Sequence, residues 1–382
     1  MYSLAGYGQM VADNIRTDSY ARALRQEIKT GDVVADIGTG PGILALLACR
    51  FGARRVYAFE PSGVIELARE IAAANGFADR IEFIPKISTE SSLPEPANVI
   101  ASDLHGILPF FGKGLISIID ARKRFLAPNG RLIPACETLW IAGVHAPELY
   151  QRHLGPWAGR SYDFDTSAAR RRRVNSMSNC WVTADQLFLE PRCLATLDYM
   201  TLKQTDLDAA VSWIVERAWQ GHGIVLWFDS VLAEGVALTN RPGAPRLIYR
   251  QLFFPWPSPL EVCPGDTVTV TVSARLVGND YVWRWDTQLA SKNAAKGGKP
   301  PFRQSTFFGS DFSLAELRTS ASRFQPKLNE DGRIQRRILS LMEGTTSLEA
   351  ISQELVKDFP GRFKRWQDAF NLVSSVSRNF GS

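Results

Sequence analysis

The chain has 382 residues, 45% of them hydrophobic, so it can bury a large core and form two or three domains. A net charge of +5 is only mildly basic and argues against nucleic acid as a partner. No apolar run reaches the roughly 18 residues of a membrane helix, and the first residues lack a signal-peptide pattern, so we expect a cytoplasmic protein without membrane contact. Five scattered cysteines without C-x-x-C spacing argue against disulfides and a zinc site.

Residues 1–20 show helical periodicity, with Met10, Val11 and Ile15 on one side. We expect a helix that leads into the fold and covers a ligand site as a lid. Arg16 lies on this helix and is the first cation along the chain that could meet the carboxylate of a bound ligand.

The apolar run that begins at Val33 meets a glycine-rich turn and then a helical pattern, which predicts strand, tight turn and helix. Glycines at 38, 40 and 42 allow the backbone to turn sharply and approach a ligand closely. Glu60 ends the next predicted strand about 20 residues later, where nucleotide-binding folds place an acid that accepts ribose hydroxyls. These features predict a nucleotide-type site.

Two details distinguish between ligands. The spacing is G-x-G-x-G rather than the G-x-G-x-x-G of dinucleotide folds, and Asp36 stands just ahead of the turn. Its negative charge would repel a phosphate and attract a cation. S-adenosylmethionine has a ribose, an ammonium and a sulfonium but no phosphate, so we expect it as the cofactor.

Strands and helices continue to alternate up to residue 134. We predict helices over 64–75 and 115–126 and strands over 81–84, 98–102 and 131–134. Such alternation is typical of a doubly wound parallel sheet whose ligand lies at the carboxyl ends of the strands. The turn after the third strand should place Ile87 and the Ser88 hydroxyl against the adenine.

Short segments of period two follow from residue 139 and predict an antiparallel β domain. They cover residues 195–199, 223–228, 235–238, 247–254 and 267–272. Residues 292–301 are predicted to be a linker-like loop, and the chain from about 328 is predicted to be a separable helical unit. We therefore expect three domains, at residues 1–135, 136–315 and 326–382.

Several of these segments resemble the protein arginine methyltransferases over roughly the first 315 residues. The resemblance lies in the segment Gln9–Tyr20, the glycine-rich turn with Glu60, residues 119–134, Tyr162–Asp165 and Arg250–Phe254. It implies a Rossmann-like methyltransferase sheet followed by an antiparallel β-barrel through which the chain forms a homodimer. It also implies that Arg16 holds the carboxylate of S-adenosylmethionine. The donor site is then assigned to Met10, Arg16, Asp36, Gly38, Gly40, Gly42, Glu60, Pro61, Ile87 and Ser88.

The sequence departs from this family where the family grips its acceptor. The family has a loop with two glutamates, and here Asp103 takes the first place while Gly112 falls near the second. The family's Thr-His-Trp loop reads Leu247–Tyr249. We assign Asp103 and His105 as catalytic groups, although His105 could instead line the loop. Tyr20 and Tyr249 are assigned to the acceptor pocket, with core aromatic roles as the alternative.

Two further segments lie outside these motifs. Arg170–Arg173 predicts a solvated loop, with an acidic substrate or a phosphate as the alternative, near the place where the family inserts its dimerisation arm. In the tail, Thr346–Glu349 predicts a capping box that opens a helix, and Phe363, Trp366 and Val373 are among the residues expected on one face of the next. The tail also resembles small winged-helix domains that bind leader peptides by strand addition.

These observations predict an S-adenosylmethionine-dependent methyltransferase with an altered acceptor site. The expected acceptor is a nitrogen or oxygen of a peptide or of a peptide-derived small molecule. The first alternative is an arginine N-methyltransferase in which Asp103 and an acid from elsewhere replace the two glutamates. The second is a non-catalytic scaffold that binds the donor and acts through its surfaces.

Overall fold

The computed structural model describes residues 3–161, 163–292, 300–310, 313, 318–319 and 321–381. The chain divides into two compact units, Met1–Ser310 and Asp311–Ser382. Within the described ranges, the helices are all too short or too polar to cross a membrane.

The chain begins with two helices rather than the single helix expected from the periodicity. Helix α1 spans Leu4–Ala12 and helix α2 spans Asn14–Glu27. The chain breaks at Asp13, whose backbone is extended and whose carboxylate accepts a hydrogen bond of 3.0 Å from the Arg16 amide. A side chain that caps a helix in this way favours a new start at that residue. The same carboxylate accepts a hydrogen bond from the Ile248 amide at 2.6 Å and so joins α2 to a distant loop.

A five-stranded parallel sheet follows, as predicted. Its strands are β1 (Val33–Ile37), β2 (Arg55–Phe59), β3 (Ile81–Ile84), β4 (Ala97–Ser102) and β5 (Leu126–Ile133), in the order β3-β2-β1-β4-β5. Its helices are α3 (Ile43–Arg50), α4 (Val64–Ala74) and α5 (Gly114–Phe125). Every residue of β1 is buried, as expected for the central strand of a sheet covered on both faces. The strand order reverses between β1 and β4, which is where such sheets bind ligands.

The rest of the first unit is mainly antiparallel. Its strands are β6 (Cys136–Val144), β7 (Arg160–Ser161), β8 (Phe164–Asp165), β9 (Ser178–Cys180), β10 (Arg192–Asp198), β11 (Leu207–Ile214), β12 (Trp219–Ala233), β13 (Val236–Thr239), β14 (Gln251–Val262), β15 (Thr267–Val277), β16 (Asp280–Ala290) and β17 (Phe302–Ser305). One sheet has the order β10-β6-β12-β14-β9, with β13 paired to β12, and a second has the order β11-β15-β16-β17. Helices Pro147–Leu154 and Ser167–Arg173 lie between strands, and helix Thr306–Gly309 follows β17.

Several sequence predictions about strands and loops need correction. The strand expected at 247–254 begins only at Gln251, so residues 247–249 form a loop that is free to reach the site. The strand expected at 131–134 is longer and begins at Leu126. Of the loop expected at 292–301, residues 293–299 lie outside the described residues, as does Tyr162 of the motif at 162–165.

The arginine run is helical and partly used for packing, which corrects the expected loop. Arg170 donates to the Pro257 carbonyl at 3.2 Å, and Arg173 donates to the His153 carbonyl at 3.3 Å. Two of the four guanidinium groups therefore hold neighbouring segments together, which weakens the case for a phosphate site there.

The parallel and antiparallel halves share one hydrophobic core. A single buried cluster contains Ile100 and Phe125 from the parallel half and Leu139, Ile224 and Trp283 from the antiparallel half. Because this core is continuous, residues 1–310 form one compact unit although they contain two kinds of sheet.

The second unit has its own core and is helical where it is described. Its long helices are Glu330–Leu341, Leu348–Asp358 and Trp366–Phe380, and they bury Ile334, Ile338, Leu355 and Val373. The middle helix is capped by Ser347, not by Thr346 as predicted, and Phe363 precedes the last helix. No strand occurs among the described residues of this unit, so they offer no edge for the strand addition expected from the sequence.

Candidate active site

The glycine-rich turn after β1 is shaped as the sequence indicates. Gly38, Gly40 and Gly42 have φ of +76°, +53° and +86°, a region that glycine adopts without strain. A Cβ on Gly40 would lie 2.9 Å from the Tyr7 ring of α1, so this helix closes directly over the turn. The turn can therefore hold a ligand between its backbone and the amino-terminal helix.

Glu60 is fixed beside this turn by backbone donors. Its Oε2 accepts a hydrogen bond from the Gly40 amide at 3.2 Å and its Oε1 accepts one from the Ser62 amide at 2.9 Å. The carboxylate follows β2 directly, at the carboxyl edge of the sheet. It is thus held in one orientation in which its remaining lone pairs can accept hydroxyl groups of a ligand.

Asp36 lies under the turn and is almost completely buried. Thr39 Oγ1 donates to its Oδ2 at 2.5 Å, but its Oδ1 has no hydrogen-bond partner. Burial raises the pKa of Asp36 from 3.8 to about 7, against the opposing effects of the Thr39 hydroxyl and the Ala45 amide. A buried carboxylate oxygen without a partner is costly, and a cationic ligand would satisfy it.

The residues around this turn fit S-adenosylmethionine. Besides Asp36 Oδ1, the hydroxyls of Ser62 and Ser88 are buried without a hydrogen-bond partner, so a polar ligand could form hydrogen bonds with three buried polar atoms. Ile87 is 40% exposed beside Ser88, and its contact with the adenine stays a prediction. Glu60 is placed for the ribose hydroxyls and Asp36 for the cationic end.

A cavity of about 780 Å³ extends from this turn toward the antiparallel half. Met10, Glu60 and Pro61, three of the residues assigned to the cofactor from the sequence, line it near the glycine-rich turn. Phe110, Phe111, Tyr249, Asp280 and Trp283 line it farther on. Its size and its mixed aromatic and acidic walls suit a small side chain beside the donor.

Arg16 and Asp103 form the buried ion pair at the centre of the site. Asp103 comes directly after β4, and Arg16 Nε donates to its Oδ2 at 2.7 Å and to the Tyr249 hydroxyl at 2.8 Å. Tyr249 donates in turn to both oxygens of Asp103, at 2.7 and 2.6 Å. The sequence assigned these three residues to different roles, and the structure brings them into one network.

This network controls the charge of Asp103. Burial by itself raises the pKa of Asp103, but Arg16, His105 and the Tyr249 hydroxyl outweigh it, so the pKa lies below its usual value of 3.8. Burial together with the nearby Asp103 charge raises the pKa of Tyr249 well above 10. At neutral pH the site therefore contains an ionised Asp103 and a neutral Tyr249.

His105 lies behind Asp103 rather than on the wall of the large cavity. Its Nε2 is 3.3 Å from Asp103 Oδ1 and 3.5 Å from Oε1 of Glu137. The rings of Phe228 and Tyr249 pack against the imidazole with centroids 4.7 Å away. His105 can therefore act on an acceptor only through Asp103 or Tyr249.

Two buried residues beside His105, Glu137 and Tyr199, were not assigned to the site from the sequence. Glu137 is fully buried on β6 and accepts a hydrogen bond from the Tyr199 hydroxyl. The available signal was a carboxylate in an apolar strand pattern, because a buried acid is retained only with a partner.

The expected contact of Tyr20 with the acceptor is wrong. Its side chain is fully buried in the core, is absent from the cavity wall, and donates its hydroxyl to the Ser102 carbonyl at 3.1 Å. The alternative of a core aromatic with a satisfied hydroxyl describes it correctly.

Comparison with known proteins agrees with this architecture. The family described as the arginine methyltransferase oligomerization subdomain matches residues 136–287, and the ribosomal protein L11 methyltransferase family matches residues 17–135. The chain is 29% identical over 230 residues to the probable protein arginine N-methyltransferase 6 of Arabidopsis thaliana, covering 58% of this chain and 53% of that protein. It is 28% identical over 273 residues to protein arginine N-methyltransferase 1.1 of the same plant, covering 69% and 70%.

A solved structure shares the fold. The Trypanosoma brucei PRMT1 enzyme-prozyme heterotetrameric complex with AdoHcy superposes with a TM-score of 0.71 at 23% identity, covering 78% of this chain and 97% of that one. The fold is that of the class I S-adenosylmethionine-dependent methyltransferases. More particularly, the chain is similar to the protein arginine methyltransferases of that class. It spans about half the length of the first of the curated relatives above.

Proposed function

We propose that this protein transfers a methyl group from S-adenosylmethionine to a guanidino nitrogen of arginine in a peptide or protein. The proposal adopts the first alternative from the sequence over the expected non-arginine acceptor, because the relatives are named arginine methyltransferases. The observation that carries it is the ionised Asp103 carboxylate. Asp103 lies behind the cavity wall and accepts a hydrogen bond from Tyr249, which is part of that wall. A fixed anion suits a cationic acceptor better than a neutral one.

A second carboxylate, that of Asp280, lies in the chain next to a residue that approaches Gly112 of the altered loop. Gly112 occupies the place near the family's second glutamate. Among the described residues, a Cβ built on Gly112 would have one neighbouring atom within 4 Å, the Asn279 carbonyl oxygen at 3.8 Å. The next residue, Asp280, lines the cavity. We propose that Asp280 pairs with the guanidinium directly and is the acid from elsewhere that the sequence left open, while the ionised Asp103 acts on the guanidinium through Tyr249.

The remaining residues have roles in binding the donor and in alignment. When bound, S-adenosylmethionine supplies a methyl carbon on a sulfonium sulfur, and the electron pair of the broken carbon–sulfur bond stays with the sulfur. Arg16 can still donate a hydrogen bond from Nη1 to the carboxylate of S-adenosylmethionine, since Nη1 makes only a 3.4 Å contact with the Met10 carbonyl. Alignment of the acceptor nitrogen supplies most of the rate acceleration in such a displacement.

The test is incubation with isotopically labelled donor and an arginine-containing peptide, followed by detection of methylarginine by mass spectrometry. We expect Asp103→Asn to abolish the product, since it removes the charge that acts through Tyr249. Asp280→Asn should raise KM for the peptide about tenfold at unchanged donor affinity, since it removes a charge that pairs with the cation. A matched peptide with citrulline in place of arginine should accept no label.

The other outcomes separate the alternatives. Label on an oxygen or on a nitrogen outside arginine would favour the peptide-derived acceptor first expected. Donor binding without turnover on arginine peptides or on native extract would favour the scaffold.

We also propose that the antiparallel half mediates self-association, as the name of the family that matches it suggests. Phe164, on the β7–β8 hairpin, is 73% exposed and is therefore available for such a contact. Light scattering after size-exclusion chromatography should give a dimer that Phe164→Ser weakens.

A further inference from the structure

The wall of the large cavity carries charges of both signs. Within the described part of the chain, the charged residues that line it are Glu60, Arg250 and Asp280. Glu60 lies beside the glycine-rich turn, where the Gly40 and Ser62 amides hold its carboxylate. One cation, on Arg250, and one anion, on Asp280, are therefore left for the acceptor.

These two opposite charges do not neutralise each other. The Asp280 carboxylate accepts a hydrogen bond of 2.8 Å from the Tyr281 amide and forms no ion pair with a described residue. The Arg250 side chain is exposed, and over the described ranges its guanidinium makes neither a hydrogen bond nor an ion pair. Both groups are therefore available to a ligand in the cavity.

The backbone at Arg250 is fixed by two buried amide side chains. Asn240 is 1% exposed, and its Nδ2 donates to the Arg250 carbonyl at 2.9 Å while its Oδ1 accepts from the Phe228 amide at 2.8 Å. Gln251, the next residue, donates from Nε2 to the Asn240 carbonyl at 2.6 Å. The side chain of Arg250 thus starts from a fixed point on the cavity wall, next to Tyr249.

We propose that Arg250 selects an acceptor arginine that has a carboxylate close to it, either on an acidic neighbouring residue or at a free C-terminus. This inference rests on the proposed function, in which Asp280 pairs with the acceptor guanidinium. The cation of the acceptor then meets Asp280 and its anion meets Arg250, so both charges of the wall are paired. A guanidinium suits this role because it can bind a carboxylate through two parallel hydrogen bonds.

The test compares peptides that contain one arginine and one aspartate, placed one or two residues before or after the arginine, with the same peptides carrying asparagine. A second pair of peptides ends in arginine with a free or an amidated C-terminus and so separates the two sources of the carboxylate. We expect kcat/KM to be about fivefold higher for the acidic member in at least one of these pairs. The difference should shrink as the salt concentration rises, because an exposed ion pair is screened.

Two variants of Arg250 show whether this residue causes the preference. Arg250→Gln should give the acidic and neutral peptides equal kcat/KM at unchanged donor affinity. Arg250→Glu should reverse the preference, so that a peptide with lysine in place of the aspartate becomes the better acceptor, a result that a merely structural role would not produce. The matched control is Arg246→Gln, which removes the same charge from the same loop. The Arg246 guanidinium lies 5.2 Å from the centre of the Trp181 ring and does not line the cavity, so this variant should keep the preference.

Equal kcat/KM for every acidic and neutral pair in the unaltered protein, or a preference that persists in Arg250→Gln, would overturn the proposal. Weaker donor binding in Arg250→Gln would also overturn it, because Arg250 would then bind the carboxylate of S-adenosylmethionine. If no peptide yields methylarginine, the proposed function is refuted instead. Calorimetry of the same peptides with the donor-loaded protein then still decides whether Arg250 attracts their carboxylate.

Discussion

The buried Asp36 carboxyl gives a prediction that can be worked out in magnitude. Its pKa is about 7 in the folded protein and about 3.8 when exposed, a difference of about three pH units. Each pH unit corresponds to about 1.4 kcal/mol, so the ionised carboxylate costs the folded protein about 4 kcal/mol at and above neutral pH.

The direction follows from which state binds more protons. Between about pH 4 and pH 7 the folded protein keeps a proton on Asp36 that the unfolded chain has lost, so stability is full below this window and falls as the pH rises through it. Asp36→Asn has no proton to lose there. Without the donor, its free energy of unfolding relative to the parent should grow by about 3 kcal/mol between about pH 5 and about pH 8.

Urea unfolding followed by circular dichroism across this pH range measures the difference in the free energy of unfolding between Asp36→Asn and the parent. Thr39→Val should move the loss to higher pH, because it removes the hydroxyl that stabilises the ionised form. Donor affinity of the parent should strengthen as Asp36 ionises, and Asp36→Asn should lose most of it. A difference between Asp36→Asn and the parent that is constant with pH would refute this account of burial.

Three further results are expected. Glu60→Gln should weaken donor binding by about tenfold or more in calorimetry, because it removes a charged acceptor that two backbone amides hold in place; unchanged affinity would remove Glu60 from the donor site. Gly40→Ala should weaken donor binding through its positive φ and its 2.9 Å clash with Tyr7, and a wild-type titration would show that α1 moves freely. Removing Leu328–Ser382 should leave donor binding intact, because that unit has its own core, and equal peptide affinity afterwards would exclude the tail from acceptor recognition.

Local patterns were sufficient for most of the parallel sheet and for the glycine-rich turn after its first strand. The glycine spacing, Asp36 and Glu60 are close in sequence, so their meaning is carried by one turn and the strand that follows it. Errors occurred where a side chain overrides periodicity, as when Asp13 splits the first helix or when Ser347 rather than Thr346 caps its helix.

The sequence by itself determined the class of fold and its cofactor, because strand alternation and turn chemistry are local properties. Only the tertiary structure decided what surrounds Asp103, since Arg16 and Tyr249 come from distant parts of the chain. It also moved Tyr20 from the acceptor pocket to the core. The physical reason is that charge and proton positions in a buried site depend on distances between side chains, which no local pattern specifies.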